Sequence, residues 1–202
     1  MKKIAITGTI GSGKTTVGIL LRRRRLPVFN ADQYSRMLLQ KTHPAYREIT
    51  EVFTDHILDE TGEIDRKKLA GEIFGDEEKR KKLNEITHGY IKKGLLEFFE
   101  YHKDAPLVFA EIPLLYEAGW DVLFDECAVI TCSDETAVGR LMEYRDFTRE
   151  DAESRLKSQI GKKEQIARAD RVFYNDGTIK ELDEQIGRWI FELRRGGHGT
   201  QA

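Results

Sequence analysis

A glycine-rich segment near the start of the chain combines residue types that bind phosphate. Gly8 is followed after four residues by Gly13-Lys14-Thr15, which fits the pattern G-x-x-x-x-G-K-[ST]. Glycines at these places let the backbone approach an anion closely, and Lys14 adds a mobile cation for the β- and γ-phosphates of a nucleotide. The Thr15 hydroxyl is of the type that binds Mg²⁺ beside those phosphates. The spacing therefore predicts a nucleotide-phosphate site.

The residues on both sides of this segment suit the same interpretation. Lys3–Thr7 is an apolar, β-branched run typical of a buried parallel strand, and Thr16–Arg25 has a helical pattern. A strand, a glycine loop and a helix in that order are the context that the motif requires, and a chance glycine-rich turn would lack it. Inward-pointing backbone amides would then bind phosphate at the positive end of the helix. The predicted ATP-binding residues are Gly11, Ser12, Gly13, Lys14, Thr15 and Thr16.

Two acidic residues follow predicted strands. Asp32 comes just after the strand predicted at 27–30, and Glu111 ends the apolar run 107–111. Ligands bind at the carboxyl edge of open α/β sheets, so both acids are candidates for the site. Mg²⁺ is therefore expected on Thr15, with Asp32 or Glu111 as a further ligand, directly or through water. Asp32 could instead cap a helix over residues 33–39.

The elements that must position these residues alternate between strands and helices. Predicted strands at 3–7, 27–30, 107–111, 125–131 and 171–175 give an α/β fold with a doubly wound, five-stranded parallel sheet. We expect one domain over 1–202, with a core at about 1–32, 105–135 and 165–195. A helical region is expected at about 33–104, a lid at about 138–163 and a disordered tail at 196–202.

Two basic segments have more than one interpretation. Residues 140–162 carry many arginines and lysines, which suit either a lid that closes over transferring phosphate or a solvated helix pair with charge pairs at i,i+4 spacing. The run Arg22–Arg25 could form a nucleic-acid or membrane patch, but we favour a solvated last helical turn, where cations meet the negative end of the helix dipole.

Bulk composition narrows the class of protein. The 202 residues are 40% hydrophobic and 34% charged with a net charge of −2, so a nucleic-acid-binding footprint is not indicated. Neither a signal peptide nor an apolar run of transmembrane length is apparent. Cys127 and Cys132 are expected to be buried, reduced thiols, which favours a cytoplasmic protein.

Several further motifs, in their order along the chain, resemble those of the dephospho-CoA kinase family. The matching stretches are 7–16, 30–32, 62–69, 73–74, 112–115 with Glu117, 148–150, 169–170 and 175–177. The first stretch is common to the whole P-loop superfamily, whereas the order and spacing of the others are specific. The resemblance covers nearly the whole chain. It implies a P-loop NTPase fold with a helical substrate-binding insertion and a lid.

The resemblance also implies an activity and its residues. The activity would be transfer of phosphate from ATP, with Mg²⁺, to the ribose 3′-hydroxyl of dephospho-CoA, giving CoA and ADP in the last step of coenzyme A synthesis. The implied catalytic residues are Lys14, Asp32 as base or orienting group, and Arg140 as the lid arginine. The implied substrate-binding residues are Thr9, Asp32, Arg66, His88, Leu114 and Leu115. ATP, ADP, dephospho-CoA and CoA would be the only partners, without nucleic acid or membrane, for a monomer or small homo-oligomer.

The chain departs from the family at four places. Asn30 stands where the family usually has an acid, and Gly89 where a proline follows the histidine. The second lid arginine falls on Tyr144, with Arg145 one residue away, and Arg25 ends a stretch that normally ends in glycine. None of these departures touches the phosphate loop or Asp32, so activity is expected to survive.

Two other functions share part of this evidence. A different small-molecule kinase, acting on a nucleoside or nucleotide, would differ only in the acceptor pocket within residues 32–115. A nucleotide-dependent switch would need a guanine-specifying N-K-x-D motif, which the sequence lacks. An acceptor-dependent release of ADP would separate the kinases from the switch.

Overall fold

The computed structural model describes residues 1–159 and 161–196, and within them five strands form one parallel sheet. The strands are β1 (Lys2–Thr7), β2 (Val28–Asn30), β3 (Leu107–Glu111), β4 (Glu126–Thr131) and β5 (Arg171–Tyr174). Their order is β2-β3-β1-β4-β5, and every pairing is parallel. The predicted five-stranded parallel sheet is confirmed. The predicted tail lies, from residue 197 onward, outside the described residues.

Helices occupy most of the remaining described chain. They are α1 (Lys14–Arg23), α2 (Ala31–Leu38), α3 (Pro44–Phe53), α4 (Arg66–Ile73), α5 (Glu77–Tyr101), α6 (Asp134–Arg145), α7 (Arg149–Lys157), α8 (Lys162–Ala167) and α9 (Ile179–Gly196), with 3₁₀ turns at Asp55–Ile57 and Asp121–Leu123. Helix α1 begins two residues before the predicted start at Thr16, because Gly13 at φ 99° ends the loop and serves as its N-cap. The short helix α8 is not anticipated by the sequence pattern.

The chain divides into two compact units, of which the first contains the sheet. It comprises residues 1–30 and the described residues from 102 to 196. Strand residues Ile4, Ile6 and Phe109 are fully buried. Trp189 of α9 is also buried and packs its ring against Phe109 and Phe173, with centroid separations of 5.5 and 5.0 Å. This apolar interior fixes the strands whose carboxyl ends carry the candidate site residues.

The second unit consists of residues 31–101 and is helical. Leu95 and Phe99 of α5 are buried, together with Leu38 of α2 and Ile49 of α3. A side chain at Gly94 would overlap the Tyr34 ring, so glycine at this position lets α2 and α5 approach closely. The apolar residues Ile91, Leu95 and Phe99 of α5 therefore belong to the core of this unit.

The two cysteines are buried and free, as predicted. Burial raises the pKa of the Cys127 thiol to about 11, and it also raises the pKa of Cys132. Both thiols are therefore protonated at neutral pH and behave as packing groups. Of the helices in the described ranges, none is long and apolar enough to cross a membrane.

Candidate active site

The glycine-rich loop between β1 and α1 adopts the conformation that the sequence motif predicts. Gly8, Gly11 and Gly13 have φ values of 145°, 76° and 99°, a region that L side chains rarely adopt. A side chain at Gly8 would overlap the carbonyl of Ile130 in β4, and one at Gly13 would overlap the amide of Asn175. Glycine is therefore required twice over, for backbone conformation and for close approach.

Asn175, at the end of β5, holds the loop in an orientation suited to anions. Its Nδ2 donates to the Ser12 carbonyl at 2.8 Å, and its own backbone N–H donates to Thr131 in β4 at 2.7 Å. Within a trans peptide the C=O and the following N–H point in opposite directions. Because the Ser12 carbonyl points toward Asn175, the Gly13 N–H points away from it, as an inward-facing amide nest requires.

Two side chains from the predicted lid segment also reach the loop. Arg140 of α6 donates through Nη2 to the Asn175 carbonyl at 2.9 Å and through Nη1 to the Gly11 carbonyl at 3.5 Å. Gln159 accepts a hydrogen bond from the Ile10 N–H at 2.8 Å. The segment therefore supplies one guanidinium and one amide to the phosphate loop.

Lys14, the first residue of α1, lies over the beginning of the loop. Its Nζ donates to the carbonyls of Gly8 and Thr9 at 2.8 and 2.9 Å. The hydroxyls of Thr9 and Ser12 are buried, and neither has a hydrogen-bond partner in the part of the chain that is described. The loop thus combines a cation, inward amides and two hydroxyl donors, which are groups that bind phosphate oxygens.

Glu111 connects the loop helix to the sheet. Its side chain is buried, and Oε1 accepts a hydrogen bond from the Thr15 hydroxyl at 2.7 Å. Its Oε2 accepts a short hydrogen bond from Nδ2 of Asn30, which is its register partner on β2. The carboxylate and hydroxyl oxygens of Glu111 and Thr15 are hard donors of the type that Mg²⁺ prefers.

Two other basic residues of segment 140–162 make contacts within or beside the segment. Arg149 pairs with Glu135 at 3.0 Å and with Glu153 at i,i+4 spacing, and Arg155 covers the Phe147 ring. The Thr148 side chain caps α7 by accepting from the Asp151 N–H. Both interpretations of this segment therefore have support: Arg140 and Gln159 reach the loop, whereas the other contacts are those of a solvated helix pair.

Lys162 and Asp176 fix the ends of this segment to the sheet edge. Lys162 donates to the Cys132 carbonyl at 2.6 Å and pairs with Asp134 at 2.5 Å. Asp176 accepts from the Ser133 N–H and the Thr136 hydroxyl, and the backbone hydrogen bond in particular lowers the pKa of its carboxyl. The start of α6 is thereby held beside the end of β5, and Arg140 lies farther along the same helix.

Three predicted site residues belong to the helical unit. Asp32 is exposed and lies in the first turn of α2, two residues after β2 ends. Because α2 begins at Ala31, Asp32 is inside the helix, and the alternative of a cap at Asp32 is wrong. Arg66 is exposed at the start of α4. His88 is half-buried on α5, and this burial lowers the pKa of its imidazole.

Leu114 and Leu115 lie in the turn that follows β3. Leu114 is exposed, whereas Leu115 is fully buried and its carbonyl accepts from the Trp120 N–H at 3.0 Å. Of these two leucines, Leu114 is the one that offers an apolar surface to a ligand. Leu115 holds the turn against the interior and sets the position of its neighbour.

The sequence interpretation gave no role to Asn175 or Gln159. Asn175 had a recognisable signal, because a polar residue directly after a strand of a parallel sheet falls at the ligand-binding edge of the sheet. Gln159 had none, since its contact with Ile10 spans 149 residues of sequence. Both residues are therefore added to the candidate site.

The chain is similar to known proteins over most of its length. The model of the dephospho-CoA kinase family matches residues 2–181. A dephospho-CoA kinase of Bacillus cereus is 40% identical over 185 residues, which cover 91% of this chain and 92% of that protein.

Solved structures agree with this match. A structure of TT1252 from Thermus thermophilus superposes with a TM-score of 0.82 at 33% identity, covering 95% of this chain and 97% of that one. A dephospho-CoA kinase from Campylobacter jejuni gives a TM-score of 0.73 at 27% identity and covers 98% and 100% of the two chains. These structures also confirm the P-loop NTPase fold. On the strength of the family match and its coverage, the chain belongs to the dephospho-CoA kinase family.

Proposed function

We propose that the protein transfers the γ-phosphoryl group of ATP to the ribose 3′-hydroxyl of dephospho-CoA, releasing CoA and ADP. The observation that carries the proposal is a fully formed phosphate loop, with Lys14 at its helix N-terminus, in a chain of this kinase family. Dephospho-CoA and ATP are the proposed substrates, and the cytoplasm is the proposed location.

On the donor side, the loop would bind the β- and γ-phosphates. The loop residues Gly11 to Thr16 lie at the N-terminus of α1, where free N–H groups and the helix dipole favour anions, although the Ser12 N–H donates to the Thr9 carbonyl at 3.2 Å in this structure. The Lys14 ammonium is placed on the loop carbonyls of Gly8 and Thr9, within reach of a phosphate in the loop. The buried hydroxyls of Thr9 and Ser12 can donate to phosphate oxygens.

The oxygen donors at the head of α1 fit a Mg²⁺ site. Mg²⁺ usually keeps several waters and takes one or two protein oxygens plus phosphates, so a cluster of three acids is not required. Thr15 would be the direct protein ligand, and Glu111 would accept a hydrogen bond from a metal-bound water. When bound, Mg²⁺ neutralises charge on the β- and γ-oxygens. The protein's own part is to orient the Thr15 oxygen through Glu111.

Arg140 would stabilise charge on the group in transfer. Its guanidinium is already fixed beside the loop by the carbonyls of Gly11 and Asn175, so little reorganisation is needed when phosphate binds. We propose that α6, α7 and the residues that follow α7 form the lid, which holds Arg140 and Gln159 against the phosphate loop. Arg149, which pairs with Glu135, would hold the lid helices together.

On the acceptor side, Asp32 would take the proton of the 3′-hydroxyl. An exposed carboxylate directly after the carboxyl end of β2 can accept a hydroxyl proton as the oxygen attacks phosphorus. Arg66, His88, Leu114 and Thr9 would bind dephospho-CoA by analogy with the family, and Leu115 would support Leu114. His88 would act as a neutral imidazole at pH 7, since burial lowers its pKa.

The test is ADP release by the purified full-length protein with Mg²⁺-ATP and a panel of acceptors. We expect rapid release with dephospho-CoA, with CoA identified as the product, and slow release with adenosine or nucleoside monophosphates. Rapid release with a nucleoside or nucleotide instead would retain the phosphate loop assignment and overturn the acceptor. ADP release that is unaffected by any acceptor would overturn phosphotransfer itself.

A further inference from the structure

We infer that Asn30 is a positioning residue for the Mg²⁺ site, acting through Glu111 on the hydroxyl of Thr15. The inference rests on the proposed function and adds to it a residue at a place where the family usually has an acid. Asn30, Glu111 and Thr15 form one hydrogen-bonded chain that runs from β2 through β3 to α1.

The geometry of this chain assigns a different partner to each oxygen of Glu111. Asn30 and Glu111 are register partners on neighbouring parallel strands, so their side chains emerge side by side at the carboxyl edge. Nδ2 of Asn30 donates to Oε2, and the Thr15 hydroxyl donates to Oε1 at 2.7 Å. Each oxygen of the carboxylate therefore accepts its own hydrogen bond, and the two bonds together fix the orientation of the group.

Gly18 of α1 lies next to the Oε2 atom of Glu111. Glu111 Oε2 and Arg22 Nη1 stand 3.2 and 3.3 Å from the point that a Cβ on Gly18 would occupy. Glycine at position 18 thus leaves room for Glu111 beside α1. Because Oε2 accepts from the amide of Asn30, Oε1 is the oxygen that accepts from the Thr15 hydroxyl.

The hydrogen bond from the Thr15 hydroxyl to Glu111 determines how Thr15 can bind the metal. A threonine hydroxyl has one proton and two lone pairs. When the proton is given to Glu111, the lone pairs of Thr15 are directed away from the carboxylate and can bind Mg²⁺. An amide at position 30 can donate to a charged carboxylate, whereas an ionised acid cannot. Asparagine therefore fixes the arrangement without a second negative charge.

The test compares metal binding in wild type, Asn30→Ala and the double variant Asn30→Asp/Glu111→Gln. Mn²⁺ is titrated into the protein–ADP complex and followed by electron paramagnetic resonance, alongside the Mg²⁺ dependence of kcat. Loss of a group that orients a metal ligand typically weakens metal binding about 10–100-fold. We expect Asn30→Ala to weaken Mn²⁺ binding by about 10-fold, with a much smaller change in kcat at saturating Mg²⁺.

The double variant exchanges donor and acceptor while re-forming the chain to Thr15, so we expect it to recover most of the lost affinity. Gln185→Ala, which removes an amide from α9, is the control and should bind Mn²⁺ like wild type. If Asn30→Ala does not unfold cooperatively, Asn30→Ser, which keeps a shorter donor, is measured in its place with the same expectation of weaker binding.

Unchanged Mn²⁺ affinity in the position-30 variant would overturn the inference, as would a double variant no better than Asn30→Ala. Neither readout involves the phosphoacceptor. A failure of this inference is therefore distinct from a failure of wild-type transfer to dephospho-CoA.

Discussion

At the scale of single residues, Lys14 offers the clearest separation of chemistry from folding. Its ammonium contacts the carbonyls of Gly8 and Thr9, while the core side of α1 is formed by Val17, Leu20 and Leu21. Removal of the cation should therefore affect phosphate far more than packing. We expect Lys14→Ala to lower kcat by roughly 10²–10³-fold, the usual cost of losing one charge-stabilising donor.

The measurement is steady-state CoA formation, with circular dichroism and thermal unfolding as checks on the fold. Lys180→Ala, at the exposed start of α9, is the matched control and should retain wild-type turnover. Normal turnover in Lys14→Ala would remove the lysine from the mechanism. A large drop in melting temperature would instead assign it a structural role.

Asp32 is the residue on which the acceptor half of the reaction depends. A general base contributes about 10²–10⁴-fold to rate, and the isosteric amide cannot accept the proton. We expect Asp32→Asn to lower kcat by at least about 10²-fold while the Kd for ATP changes little, as measured by single-turnover kinetics and calorimetry. A variant that lost ATP affinity but kept kcat would place Asp32 at the metal site.

At the scale of elements, the sequence predicted those parts whose causes are local. The glycine loop and the buried strand β3 follow from spacing and residue type within a few positions. The contacts of Gln159 with the loop and of Asn30 with Glu111 span 149 and 81 residues. Such pairs depend on which strands become neighbours, so no local pattern reveals them.

At the end of α1, the residue type and the backbone conformation of Arg25 do not suit each other, and the sequence revealed this only in part. Leu26 donates to the Leu21 carbonyl and Arg25 to that of Arg22, the two hydrogen bonds of a Schellman motif. The motif places its C′ residue, Arg25, at φ 60°, where glycine is the usual choice. The sequence marked this position as a departure from the family, and the backbone supplies the physical reason that glycine is usual there.

We therefore expect Arg25→Gly to stabilise the protein by about 1 kcal/mol, since a left-handed conformation costs L residues about 1–2 kcal/mol. Arg25 is exposed, so little packing is lost. Urea unfolding midpoints would measure the effect. Arg23→Gly, in the last helical turn, is the matched control and should destabilise by roughly 0.5–1 kcal/mol. Equal destabilisation by both substitutions would contradict the account.

At the scale of the whole molecule, the proposed roles divide between the two units. The groups for the nucleotide and its metal lie in the sheet-containing unit, and Asp32, Arg66 and His88 lie in the helical unit. The sequence predicted a helical region at about 33–104, between β2 and β3. It could not rank the residues of that region for substrate binding, because exposed polar side chains on helices carry no periodic signal.

Sensitivity to acid is a property of the whole chain. Histidines and carboxyls in different parts of it have lowered pKa values in the folded state, and each of them makes the folded state less stable as the pH falls. Burial lowers the pKa of His43 and His88, and His43 also caps α3 through a ring nitrogen that must stay unprotonated to accept from the Ala45 N–H. Hydrogen bonds lower the pKa of carboxyls such as Asp176 and Asp183. In each case the unfolded chain binds protons more readily than the folded one.

Stability should consequently fall as the pH is lowered. The histidine contribution is fully present above the unfolded value of about 6.5 and is lost as the pH falls below it. The carboxyl contribution is present above an unfolded value of about 4 and is lost below it. We expect urea midpoints to decline first between pH 7 and 5.5 and again below pH 4.5.

A double variant tests the histidine part of this decline. His43→Asn keeps a residue that caps helices without titrating in this range, and His88→Gln removes the second imidazole. The variant should lose most of the change between pH 7 and 5.5 while retaining the decline below pH 4.5, because the shifted carboxyls are untouched. A first decline that persists at full size in the variant would mean that other groups titrate on unfolding, and that the burial of these two rings does not set the acid limit of the fold.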